Sequence, residues 1–197
     1  MNNHLSYWAL VLSIFTLFIF SGIAVATEEP KFSLLEKDQS FELRLYEPKI
    51  IAEVEVDGDM SAASRKGFRQ IADFIFGNNT AQSGKSEKIS MTAPVGVQQS
   101  EKGWKVSFVM PSQYTLETLP KPNNPQILIK QLPAKQFALI RFSGLVDEEK
   151  MQAKSAELNQ WITMKKLNPV GTPELARYNP PWTLPFLRRN ELMVEVE

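Results

Sequence analysis

The chemistry open to this chain is limited first by what it lacks. It has no cysteine, and its one histidine is His4. Thiol nucleophiles, disulfides and zinc–thiolate sites are excluded. If the N-terminal segment is removed, Ser-His-Asp catalysis and imidazole ligation go with it. Acid–base work would then fall to carboxylates, lysine, serine or tyrosine. Asp57, Asp59 and Asp73 are the acids nearest a candidate groove, but acids at turns and helix starts ordinarily serve as caps. No catalytic residue and no metal site is expected. The densest group of distinctive side chains is residues 178–192, YNPPWTLPFLRRNEL. Pro180, Pro181 and Pro185 fix φ and withhold backbone donors, so this stretch must be an ordered extended loop or a turn.

Period-two alternation marks the strands that would position such a loop. Phe41, Leu43 and Leu45 alternate with Glu42 and Arg44, and Ala52, Val54 and Val56 with Glu53 and Glu55. Residues 60–76 have helical spacing, stopped by Gly77-Asn78. EKISMTAPV is a third strand candidate, ending at Pro94, and Trp104 to Met110 a fourth. The order then repeats: QILIKQL, a strand through Ala138, Ile140 and Phe142, a helix capped by Asp147, PELARY, and a final strand through Leu192, Val194 and Val196. Glu148 and Glu149 in the first turn of the second helix, and Lys165-Lys166 in its last, would complement its dipole.

One offset of 86 residues relates Ala52 to Ala138, Gly58 to Gly144, Pro94 to Pro180, and Val106, Phe108 and Met110 to Leu192, Val194 and Val196. The helices fit less well, since Phe68 falls on Lys154. The pattern predicts an α+β fold: a twisted eight-stranded antiparallel barrel-like sheet, two flanking helices, and two pseudo-repeats. A groove between sheet and helices is the natural place for a ligand.

The chain has 197 residues, 43% of them hydrophobic, with 22 acidic and 22 basic side chains. That suits one domain with a core and argues against a nucleic-acid partner. Residues 7–20 are almost wholly apolar, and Ala24-Val25-Ala26 fits a signal-peptidase site before Thr27. The alternative is an uncleaved anchor, because residues 7–26 are long enough to cross a bilayer. The division is therefore 1–26 signal peptide or anchor, 27–40 N-terminal lead-in, and 41–197 functional domain. Export is expected, to the periplasm or else as a secreted or membrane-anchored protein. The sequon Asn78-Asn79-Thr80 matters only in a eukaryotic secretory route.

FELRLYEPKIIAEVEVDGDMSAASRKGFRQIADFIFG, KISMTAPV, SFVMPSQYTLETLPKP and YNPPWTLPFLRRNEL together resemble the SOUL/heme-binding-protein family, from about Phe41 to the C-terminus. The resemblance implies a barrel of two pseudo-repeats with two helices, and noncovalent binding of heme or another tetrapyrrole, mostly without enzymatic chemistry. Such a ligand needs an apolar wall, with arginine or lysine near its propionates. Phe68, Ala72 and Ile75 on the first helix offer the wall, with Arg65 and Arg69 beside them. Met91 and Tyr178 lie at matching ends of the halves and are candidate iron donors. Without histidine after residue 26, axial coordination is expected to be weak or absent. Trp182 and Phe186 are expected to cover the open end of the core, and Arg188 and Arg189 to be solvated or paired, with Glu191 as a partner. The alternatives are another small amphiphile in the same groove and, last, a carboxylate-based enzyme.

Overall fold

The structure is a computed structural model and describes residues 27–197. The signal-peptide or anchor expectation falls on residues outside that range. Among the described residues, no helix is long and apolar enough to cross a membrane.

The elements run β1 (Phe32–Asp38), β2 (Phe41–Tyr46), β3 (Lys49–Val56), α1 (Met60–Ile75), β4 (Asn79–Thr80), β5 (Val95–Ser100), β6 (Gly103–Val109), β7 (Lys121–Pro122), β8 (Leu128–Leu132), β9 (Lys135–Phe142), α2 (Glu148–Met164), β10 (Pro169–Arg177) and β11 (Asn190–Val196). Nine strands form one antiparallel sheet in the order β1-β2-β9-β11-β10-β5-β6-β3-β8, and β4 pairs with β7 apart from it. The sheet is open, with β1 and β8 as its edges, rather than closed into a barrel. Two helices over one face supply the burial that closure would otherwise provide. The ninth strand is β1, which lies in the expected lead-in and pairs with β2.

The alternating strands fold as their patterns require. Ala52, Val54 and Val56 of β3, Val106 and Phe108 of β6, Ala138 and Ile140 of β9 and Leu192, Val194 and Val196 of β11 share one core under the helices. Ala52 lies opposite Phe108, and Ala138 opposite Val194; Val54 lies opposite Val106, and Ile140 opposite Leu192. α1 starts where the Asp59 carboxylate accepts from Ala62 N at 2.8 Å. It packs on β3 and β6, and Gly67 makes that approach possible, since a Cβ there would lie 2.6 Å from Val106 Cβ. α2 begins at the matching Asp147–Lys150 N cap, 2.8 Å, and packs on β9, β10 and β11.

Three sequence expectations need correction. EKISMTAPV is not a strand: β5 starts only at Val95, after Pro94. The preceding residues are instead docked by separate bonds, such as Ile89 N to Ile75 O at 2.8 Å and Thr92 Oγ1 to Val109 O at 2.5 Å. Pro94 and Pro180 are not equivalent, because Pro94 precedes β5 whereas Pro180 follows β10. The β5–β6 turn needs only Glu101-Lys102, but the β10–β11 connection runs through residues 178–189. Lys165 and Lys166 lie past the last turn of α2; Lys165 reaches back to Glu36 and Asp38.

Candidate functional site

The residues paired across the middle of the sheet place the site. Ala52, Phe108, Val95, Arg177, Asn190 and Phe142 form one continuous row on the helix-covered face. α1 covers the β3–β6 side of this row and α2 the β9–β11 side. Phe68 on α1 sets its ring 5.6 Å from that of Phe108 and remains about one-third exposed. Arg177 stands two strands further along, roughly 10 Å at the usual strand spacing.

Arg177 occupies a position where β10 alternation calls for an apolar residue, two after fully buried Leu175. Its Nη2 donates to Val146 O at 3.4 Å. Burial, and then the nearby charge of Arg188, pull its pKa below the ordinary arginine value. Arg188 donates to backbone carbonyls, from Nε to Thr183 O at 2.8 Å and from Nη2 to Pro181 O at 2.5 Å. Among the described residues, neither guanidinium makes an ion pair within 4 Å. Two neighbouring cations whose partners here are carbonyls form a place where an anionic group would be stabilised.

Beside them, the 178–189 loop is stiff but turns its apolar side chains outward. Thr183 N donates to Pro180 O at 3.0 Å, Leu187 N to Leu184 O at 2.9 Å, and Gly144 N to Pro185 O at 2.9 Å. Yet Trp182 is 82% exposed and Phe186 70%, and Leu184, Leu187 and the adjoining Leu145 are exposed as well. Trp182 and Phe186 therefore do not cover the core as expected. Leu192 and Ile140 are already sealed beneath α2, so the loop has no core left to fill. An ordered apolar ledge of this kind ordinarily marks a binding surface.

The sequence-derived candidates divide among three places. Ala72 and Ile75 are buried in the core behind Phe68. Arg65 and Arg69 lie exposed on α1, and Arg65 Nη1 donates to Ser61 Oγ at 2.7 Å. Met91 is exposed on the segment leading to Pro94. Tyr178 is on the opposite face of the sheet, in a small cluster with Tyr46, Phe137, Leu139, Ala176 and Met193 that contains no helix residue.

That opposite face carries a buried ionic network. Glu191, 0% exposed, accepts from Arg44 Nη1 and Nη2 at 2.9 and 3.2 Å, from Tyr178 Oη at 2.7 Å and from Arg189 Nε at 3.0 Å. Arg44 Nε also donates to Glu42 Oε2 at 2.7 Å. Burial and then the Glu191 charge push the Tyr178 phenol well above the ordinary tyrosine range. Arg189 lies 3.5 Å over the Tyr178 ring and pairs with Glu29. Pairing of Arg189 and Glu191 is thus as read from the sequence, but the central role of Arg44 was missed. Its signal was an arginine inside an alternating strand whose other face is apolar. Arg177 was missed as well, and the parity of PELARY was the cue.

The fold is shared with several solved proteins. The C-terminal domain of EcmrR superposes with a TM-score of 0.59 at 14% identity, over 80% of this chain and 96% of that one. A hydrolase from Listeria innocua gives 0.57 at 12% identity, over 83% and 94%. An uncharacterized conserved protein from Listeria innocua gives 0.59 at 11% identity, over 89% and 95%. At such identities the likeness is one of fold. No curated protein matches the chain. Residues 27–195 match the SOUL heme-binding protein family, and the chain belongs to that family.

Proposed function

We propose that the protein binds heme or another tetrapyrrole noncovalently, as a carrier, buffer or sensor, on the helix-covered side of the sheet. The observation that carries this reading is the rigid apolar ledge of Trp182, Phe186 and Leu145 beside Arg177 and Arg188, two cations with no carboxylate partner among the described residues. The ledge would offer its rings to the flat macrocycle, and the arginines would take its propionates. Phe68 would close the inner wall, supported from behind by Ala72 and Ile75. Arg65 and Arg69 would add positive charge along the rim. Bound heme would supply its own redox and ligand chemistry; these residues would orient it and exclude water. Met91, exposed and soft, is the candidate iron donor. Tyr178, hydrogen-bonded to Glu191 on the other face, would serve the ionic network instead.

This reading makes the protein a binding module rather than an enzyme, exported by way of its apolar N-terminus. The strand pairings repeated at an offset of 86 support reading the two halves as pseudo-repeats.

Titration of the purified protein with heme and with metal-free protoporphyrin, followed by absorbance and tryptophan quenching, tests the proposal. Both rings should bind with similar affinity. Arg177→Gln and Phe68→Asp should each weaken both. Much tighter binding of heme would reveal an iron donor, with Met91 the first to replace. Failure of both rings to bind at micromolar concentration would overturn the tetrapyrrole reading.

A further inference from the structure

Among the described residues one face of the sheet carries no helix, and this helix-free face holds a second concavity, separate from the ledge. At its floor is a cavity of about 30 Å³ lined by Glu174, Lys49, Tyr46, Tyr178 and Met193, among others. It adjoins a trough of about 530 Å³, and Pro30, Lys49 and Val109 line both. The inner space suits one small polar group, and the trough is of the size that holds a small organic ligand. Residues 28–31 strap one side of it. Ala93 N donates to Glu28 O at 2.8 Å, Ser112 N to Glu28 Oε1 at 2.9 Å, and Glu47 N to Lys31 O at 3.0 Å.

The floor is built around a carboxylate. Gly96 lies beneath Glu174, and a Cβ there would sit 2.0 Å from Glu174 Oε1 and 2.3 Å from Ser107 Oγ. Glycine is thus what lets this carboxylate lie against the sheet. Lys49 is held elsewhere: its Nζ is 4.7 Å from the centre of the Tyr46 ring and 5.9 Å from that of Phe137. Among the described residues, neither Glu174 nor Lys49 makes an ion pair within 4 Å. Glu53, the neighbouring carboxylate on this face, is already paired with Lys130 at 2.6 Å. Burial, the largest influence on each, pushes Glu174 above its ordinary value and Lys49 below its own. The two charges attract each other and Ser107 hydrogen-bonds Glu174, but burial outweighs these contacts, so each charge is only partly compensated where it stands.

We propose that this cleft is a second binding site, for a zwitterionic amphiphile whose ammonium meets Glu174 and whose anionic group meets Lys49. A simple cation would satisfy Glu174 while standing beside the Lys49 charge. A simple anion would meet Lys49 and face Glu174. A molecule carrying both charges compensates both groups at once. Its apolar body lies in the trough along Ile50, Val109, Met110 and Leu116.

The test is calorimetric titration of the purified protein with dodecylphosphocholine below its micelle concentration, alongside dodecyltrimethylammonium and dodecyl sulfate. The zwitterion should bind more tightly than either single-charge probe. Glu174→Gln and Lys49→Met should each weaken it by roughly tenfold or more. Both variants should retain the porphyrin affinity of the parent, which separates this site from the one on the helix side. If Lys49→Met does not fold, Glu174→Gln decides alone. Equal binding of a single-charge probe, or unchanged zwitterion affinity in Glu174→Gln, overturns the proposal. So does sedimentation with phosphatidylcholine vesicles without binding of the monomeric probe, which would assign the contact to a membrane surface.

Discussion

The two faces of one sheet solve burial in opposite ways. Under the helices, β3, β6, β9 and β11 present alanine, valine, isoleucine, leucine and phenylalanine to α1 and α2, with little polar chemistry to satisfy. On the other face, β2 buries Glu42 and Arg44 and β11 buries Glu191, and every one of them has partners. Among the described residues no helix covers that side; long paired side chains and the 28–31 strap provide the covering. The difference shows that burial here follows from whatever lies over a strand. A helix permits a dry apolar layer, whereas a face without one can exclude water with a fully connected ionic network.

The strongest way to break the comparison is to remove half of the network. Arg44→Ala should destabilise the protein by about 3–5 kcal/mol, because it leaves Glu42 and Glu191 buried without their shared cation. The double replacement Arg44→Met with Glu191→Leu should recover much of that loss. Denaturant unfolding of both variants is the check. A double variant as unstable as the single would mean that the network specifies the face rather than merely tolerating burial.

Next come the two glycines that allow close approach on opposite faces. Gly67→Ala should cost ~1–3 kcal/mol, since its Cβ would press on a branched side chain anchored in a strand. Gly96→Ala meets only the movable ends of Glu174 and Ser107 and should cost less, while displacing that carboxylate. Melting temperatures of the pair give the ranking directly, and a reversed order would contradict it.

The response to pH should differ between two carboxylates of the helix-free face. Burial raises the pKa of Glu42, but hydrogen bonds from Lys37 and Arg44 outweigh it and leave a net value below 4.5. Its stabilisation is therefore full above 4.5 and fades as pH falls through the lower folded value. Glu174 has the opposite sign. Its folded pKa lies above 4.5, so stability declines as pH rises from 4.5 through that higher value. Glu42→Gln should flatten the acid limb of the stability profile. Glu174→Gln should raise stability at neutral pH, as measured by thermal melts across a pH series.

The smallest expected effect on stability is at the ledge. Trp182→Ala and Phe186→Ala should shift stability by less than about 0.5 kcal/mol, because both side chains stand in solvent. Porphyrin affinity should nonetheless fall in both. A large loss of stability would instead place these rings in the core.

Much of this protein was legible from local pattern. Period two set the faces of β2, β3, β6, β9 and β11, because side chains must alternate across a pleated strand. Asp59 and Asp147 marked both helix starts, since an exposed helix end needs an acceptor for its first amides. The absence of cysteine, and of histidine after residue 26, limited the available chemistry without any structure. Tertiary structure alone decided what lay across each strand and above each loop. β1 was hidden in the lead-in because FSLLEKD does not alternate cleanly and its register with β2 shifts between Leu34 and Glu36. Trp182 and Phe186 read as core residues because hydrophobicity reports a cost of exposure, not whether room remains inside. Arg44 and Glu191, 147 residues apart, became partners only when β2, β9 and β11 came side by side. The openness of the sheet was decided at the same level, because edge pairing depends on chain path and helix placement rather than on any residue's own preference.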